Sequence, residues 1–317
     1  MTLLKLEKDK MNEIKIFSPA SVANLSCGYD ILGACLGGIG DEIIVRKTNK
    51  KGIIITKISG QKLTKDINKN VAGVSACALL KDLNYKKGFE IEIKKGIKPG
   101  SGIGSSAASA AGSVYAINEL LGKPFSKKEL IKYAIVGEKA ACGSPIADNV
   151  AAVLLGGFTF VREKNDIIKL NSPINLAFTI LHPQIEVKTS DSRALVKKNV
   201  SLKNMVKQSA NLGAFVSALY TEDYDLLSRS MKDFVIEPLR SILIPNFEKL
   251  KQSSFKNNAL GFGISGSGPS VFALSKGISQ AKIIGKSFEI IYKKLNVNFD
   301  IHTSYLNNKG IQIIESK

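Results

Sequence analysis

Short runs in which apolar and polar residues alternate, and longer runs with apolar residues every three or four positions, divide the chain into elements. The pattern begins after Met11, and residues 1–10 are given no element. Strands are predicted over 13–18 and within 41–58, where "EIIVRK" and "GIIITKI" are β-branched and bounded by Gly and Lys. A helix is predicted over 66–83, starting at an aspartate. "GFEIEIKKG" (88–96) alternates and reads as a strand, helices follow at about 104–121 and 126–142, and "GGFTFVR" (156–162) is a further strand. A buried strand over 175–183 opens the second half. Helices are predicted at 189–197, 201–219, 222–231, 245–252 and 279–294. "NALGFGISGSGPSVFAL" reads as strand, glycine turn, strand, and the last strands fall near 299–305 and 309–314. Strands and helices mix without regular alternation, which predicts an α+β fold. A boundary between two domains is expected near 165–175.

The length, 317 residues, suits two domains rather than one core. No apolar run reaches the length of a transmembrane helix, and the first ten residues lack the apolar centre of a signal peptide. The four cysteines, Cys27, Cys35, Cys77 and Cys142, form no CxxC pair, and only His182 and His302 are histidines. Zinc sites and Ser-His-Asp chemistry are therefore poorly supported, and a reduced cytoplasmic protein is expected. The net charge of +18 raises nucleic acid as a partner. The lysines are spread along the chain with no arginine–aromatic cluster, so the reading is solvated lysine, an excess that also helps draw in an anionic substrate.

The stretch "KPGSGIGSSAASAAG" (98–112) changes this picture. Strand, glycine-rich loop and helix follow one another there. Glycines allow tight turns that point N–H groups inward, and the helix start adds unpaired N–H groups and a positive dipole end. Small residues leave room for phosphates. A serine-capped helix after a plain loop is the competing reading. No Walker lysine follows the last glycine. A GxGxxG at Gly261, Gly263 and Gly266 is not a dinucleotide fingerprint, because Pro269 and "SVFAL" follow where a helix is required.

Three segments stand out together: "FSPASVANLSCGYDILG", "PGSGIGSSAA" and "GFGISGSGPS". In combination they resemble the GHMP kinase superfamily, from about Met11 to the C-terminus. Within it the chain is most similar to the family that phosphorylates homoserine, through "VANLSCGYDILG", "ADNVAAVLLGGF", "SDSRALV" and "EPLRSILIPNF". The resemblance implies a ribosomal-S5-like N-terminal domain (11–170) that binds ATP and a ferredoxin-like C-terminal domain (171–317). It implies ATP and Mg²⁺, and transfer of a phosphoryl group to the side-chain hydroxyl of L-homoserine on the path to threonine. Members are commonly dimeric, so a homodimer is compatible. The alternatives are another GHMP small-molecule kinase, of mevalonate type, or a basic RNA-binding protein on the same fold.

The resemblance also distributes roles. Lys98, Pro99, Gly100, Ser101, Gly102, Ile103, Gly104, Ser105, Ser106, Ala107 and Ala108 cradle the nucleotide phosphates, with Asn70 also on the nucleotide side. Ser106 and Glu138 hold Mg²⁺. Glu138 stands in a mostly apolar helical run, where a glutamate is expensive unless paired. Arg193 and Arg240 match positions that receive the substrate carboxylate as planar forks. Asp30 and Asp148 take the ammonium group, and Asn24 and Asn149 orient the hydroxyl. Thr189, one helical turn before Arg193, contacts the γ-phosphate. Ile146 stands where the family often has a histidine, and "SCGYD" where "GPGFD" is commoner.

Overall fold

The computed structural model of the chain describes residues 11–143, 146–185, 187 and 189–317. Residues 1–10, to which the sequence assigned no element, lie outside them, as do the side chains of Cys142 and Thr189. A mixed sheet holds β1 (Glu13–Ala23), β2 (Leu32–Thr48), β3 (Gly52–Ser59) and β4 (Gly88–Lys94), together with β5 (Phe158–Glu163) and β6 (Asp166–Lys169). A second, antiparallel sheet holds β7 (Leu176–Pro183), β8 (Gly261–Ile264), β9 (Val271–Lys276) and β10 (Phe299–Tyr305) in the order β10-β7-β9-β8. The final strand, β11 (Gln312–Ser316), returns to the first sheet, whose order is β11-β1-β2-β4-β3, with β5 on the far end of β2. The C-terminal domain expected from 171 onward thus sends its last strand into the sheet of the first. Among the described residues β3 and β4 are the one pair of strands that runs parallel.

The helices α1 (Val71–Asp82), α2 (Ser105–Leu120), α3 (Lys127–Cys142) and α4 (Asp148–Leu155) follow; α1, α2 and α4 pack on one face of the first sheet, and α3 packs on those three helices. Of the sixteen residues of α2 only Ser106 is not buried, which explains the run of alanines: the helix is enclosed on all sides and only small side chains fit there. Ser18 on β1 donates to the Ala108 carbonyl at 2.7 Å across that tight contact. α3 begins with a capping box between Ser126 and Glu129.

The second half contributes α5 (Thr189–Ala194), α6 (Leu202–Thr221), α7 (Tyr224–Ser230), α8 (Glu237–Arg240), α9 (Phe247–Lys256) and α10 (Ile278–Tyr292). α9 and α10 pack on the second sheet through Phe247, Leu250, Phe262, Ile284 and Phe288. Between the sheets lies a shared apolar cluster that includes Val22, Leu32, Phe158, Phe178, Phe215 and Phe272. Its rings meet edge-on or tilted, with Phe158–Phe215 and Phe178–Phe272 centroids 5.8 and 6.1 Å apart. The two sheets therefore share one body of core, and a cleft between them has fixed walls.

Candidate active site

A cavity of about 370 Å³ opens where the two halves meet. The glycine loop forms one wall. Gly102 and Gly104 both have positive φ, 80° and 72°. At Gly102 a Cβ would stand 2.6 Å from the Gly268 carbonyl oxygen, and at Gly104 2.1 Å from Ser21 Oγ. Only glycine fits either place. Gly104 is the N-cap of α2 and no side chain caps that helix, so the expected alternative, a serine cap, is not what forms. Ser105 instead donates its hydroxyl to the Ile97 carbonyl at 2.9 Å.

The second glycine turn presses on the first. Ser265 Oγ donates to the Gly102 carbonyl at 2.7 Å and Ser270 Oγ to the Ser101 carbonyl at 2.5 Å. Pro99, Gly100, Gly102, Gly104, Ser105 and Ser106 line the cavity. Lys98 is exposed outside it, and Ile103, Ala107 and Ala108 point their side chains into the core, leaving only their backbone to a ligand. Ser101 is likewise buried away from the lining.

Below the loop sits a pair that the motif search missed. Buried Lys95 is bonded to buried Asp41, and donates to the Ser105 carbonyl and to Ser109 Oγ, both at 2.9 Å. All three of its protons go to protein acceptors. Asp41 also accepts from the N–H groups of Gly96 and Ile97, at 3.1 and 3.2 Å, and from Ser109 Oγ at 3.0 Å. Burial lowers the Lys95 pKa and Asp41 opposes that shift. Removing one partner of such a buried pair costs about 3–5 kcal/mol. The signal was there in strand parity: Asp41 continues the inward set Ile43 and Val45, and Lys95 the inward set Phe89, Ile91 and Ile93.

Glu138 on α3 is buried and lines the cavity, bonded to Ser106. Burial pushes its pKa up to about 7, while Ser106 and Lys95 pull it down. A carboxylate and a hydroxyl side by side are hard oxygen donors that suit Mg²⁺, which takes only one or two protein ligands when phosphates supply the rest. Among the described residues no group of three or more His, Cys, Asp or Glu is placed to hold a metal alone. Asn70 also lines the cavity, and its amide caps α1 by accepting from Ala72 N at 3.0 Å and donating to the Thr64 carbonyl at 2.8 Å.

The opposite wall carries charge of both signs. Arg193 on α5 donates to both oxygens of Asp30, at 3.0 and 3.2 Å. Arg240, at the end of α8, is buried beside them. Asn24 bridges the segments: its Nδ2 donates to the Gly266 carbonyl at 2.9 Å, and its Oδ1 accepts from Asp30 N at 3.1 Å. Asp148 and Asn149 open α4; Asp148 accepts from Asn149 N at 2.7 Å, and Ser21 Oγ donates to Asn149 Oδ1 at 2.7 Å. Burial and the neighbouring Asp30 push Asp148 up to about 7. Ile146 lines the cavity. Asn24, Asp30, Asn70, Ser106, Glu138, Asp148, Asn149, Arg193 and Arg240 thus share one space. Thr189 is the first residue of α5, and its side chain lies outside the described residues.

Residues 70–157 match the GHMP kinases N terminal domain, and residues 215–293 the GHMP kinases C terminal domain. The homoserine kinase of Chloroherpeton thalassium is 40% identical over 319 residues, covering 96% of this chain and all of that protein. The chain belongs to the homoserine kinase family of the GHMP kinases. A crystal structure of homoserine kinase from Cytophaga hutchinsonii superposes on it with a TM-score of 0.92 at 44% identity, over 96% of this chain and 98% of that one. L. major mevalonate kinase, at 17% identity and a TM-score of 0.70 over 92% of this chain and 96% of that one, shares the fold alone. In this homoserine kinase family member a small-residue loop at the start of a helix and a wall of paired acid and guanidinium groups line the same cavity.

Proposed function

We infer that the enzyme transfers the γ-phosphoryl group of ATP to the side-chain hydroxyl of L-homoserine, yielding O-phospho-L-homoserine and ADP on the path to threonine. The observation that carries this reading is the Asp30–Arg193 ion pair, with Arg240 beside it, in the same cavity as the glycine loop. A free amino acid carries one ammonium and one carboxylate, and a wall of that composition complements both. A mevalonate-type acceptor has no ammonium for Asp30.

The loop backbone and the first turn of α2 take the triphosphate, with Asn70 also on the nucleotide side. Ser106 and Glu138 would hold Mg²⁺, which neutralises phosphate charge when bound. Arg193 and Arg240 receive the substrate carboxylate, Asp30 and Asp148 its ammonium group. Asn24 and Asn149 orient the hydroxyl, and Thr189 is assigned the γ-phosphate. Phosphoryl transfer depends chiefly on such positioning and on charge stabilisation. The held hydroxyl oxygen attacks the γ-phosphorus in line, the bond from the γ-phosphorus to the bridging oxygen breaks and ADP leaves, and the hydroxyl proton passes to an oxygen of the transferred phosphoryl group, so no strong base is needed. A biosynthetic kinase drawing on ATP and a free amino acid works in the cytoplasm.

A coupled ADP-release assay across homoserine, mevalonate, shikimate and galactose tests this. Turnover is expected with homoserine; turnover with another of these alcohols and none with homoserine overturns the substrate assignment.

A further inference from the structure

The N–H groups of Arg240 can be followed one by one. Nε donates to the Ser192 carbonyl and Nη1 to the Gly266 carbonyl, each at 3.1 Å. Nη2 donates to the Tyr29 hydroxyl at 3.4 Å, and the guanidinium carbon lies 5.1 Å from the centre of the Tyr29 ring. Each terminal nitrogen carries a second N–H beyond these bonds, and one donor from each suits the two oxygens of a carboxylate. Tyr29 itself does not line the cavity. It immediately precedes Asp30, whose left-handed backbone (φ 57°) is fixed by the bond from its N–H to Asn24 Oδ1. One short turn therefore carries both an acid of the substrate wall and the ring behind its buried arginine.

Resting on the reading above, we propose that Tyr29 is a positioning residue for the amino-acid substrate: its ring and hydroxyl set the plane of Arg240, so that the open edge of the guanidinium meets the substrate carboxylate while Asp30, on the same turn, meets the ammonium. The contact with the ring consumes no N–H group, and the hydroxyl takes one of the two on Nη2 and leaves the other. The turn then acts as a gauge of the distance between the two charges of an α-amino acid.

Tyr29→Leu tests this in the full-length enzyme. The KM for homoserine should rise about tenfold, the loss of a desolvated cation–π contact, with kcat within about twofold and the KM for ATP unchanged. Competitive inhibition by 2-aminobutyrate, which has both charges and no hydroxyl, should weaken by the same factor. Inhibition by 3-aminopropan-1-ol, which has no carboxylate, should be the same in both enzymes, whether strong or weak. Tyr29→Phe, which keeps the ring, should stay within about threefold of wild type. Should the leucine variant not fold, Tyr29→Gln takes its place. An unchanged KM for homoserine in the leucine or glutamine variant removes the role of Tyr29. A parallel loss in kcat, in the KM for ATP and in both inhibition constants reduces it to a structural one. Failure of the unaltered enzyme to phosphorylate homoserine removes instead the reading on which the proposal rests.

Discussion

A carboxylate that binds a divalent cation must be ionised, yet burial holds Glu138 up to about 7. Two consequences follow from the sign. Its ordinary value is 4.5, so between there and about 7 the folded chain holds a proton that the unfolded chain has lost. Stability of the nucleotide-free protein therefore falls as pH rises through that window, and Asp148, raised from 3.8 to about 7, acts in the same direction. Metal binding has the opposite trend, because it requires the ionised form. Glu138→Gln should raise the melting temperature at pH 8 by a few degrees while lowering turnover by about a hundredfold or more, and should flatten the loss of Mg²⁺-dependent nucleotide binding between pH 8 and pH 6. Scanning calorimetry and nucleotide titration at both pH values check it. A variant that melts lower at pH 8, or keeps near-normal Mg²⁺-dependent activity, contradicts it.

The loop and α2 work as one element, held on three sides: Lys95 and Asp41 below, Ser265 and Ser270 above, and Ser21 beside Gly104. Gly104→Ala adds a methyl group 2.1 Å from Ser21 Oγ at a backbone angle that side chains rarely adopt. It should weaken ATP binding at least tenfold and lower stability by about 1–3 kcal/mol. Urea denaturation and the KM for ATP measure the two effects, and wild-type values for both would contradict the fit. This element was legible from composition, because few other environments favour so many glycines and serines before a helix. Its supports were not, since Asp41 and Lys95 lie 54 residues apart in sequence and announce themselves only as polar residues at inward strand positions. Other differences have local causes. The first strand was read to residue 18 but runs to Ala23, because Pro19 sits at a register shift in the pairing with β2 and so does not end the strand. The first helix was read from 66 and starts at Val71, since Asp66 and Asn70 are both residues that begin helices and Asn70 makes the cap. The two-turn helix α4 and four-residue β6 are too short for periodicity to reveal.

At the scale of the whole molecule, 45 basic and 27 acidic residues leave a net charge of +18. Lys69 lines the cavity and Lys98 is exposed at the loop. The field of such a charge concentrates a polyanionic nucleotide, and salt screens it over about 10 Å at 0.1 M. Raising ionic strength should therefore lower kcat/KM for ATP several-fold and leave kcat nearly unchanged. Stopped-flow association of a fluorescent nucleotide analogue across a salt series measures it, and a flat profile would assign the excess lysine to solubility alone.

β11 crosses back to pair with β1, nearly 300 positions earlier, and the Lys317 carbonyl accepts from the N–H groups of Asn12 and Glu13 at 2.8 and 3.0 Å. Until β11 pairs with it, the outer edge of β1 presents unpaired N–H and C=O groups. An open edge of this kind is a template for a stray strand from another nascent chain. The topology of the sheet thus leaves a folding chain open to pairing with another copy until its last described strand is in place.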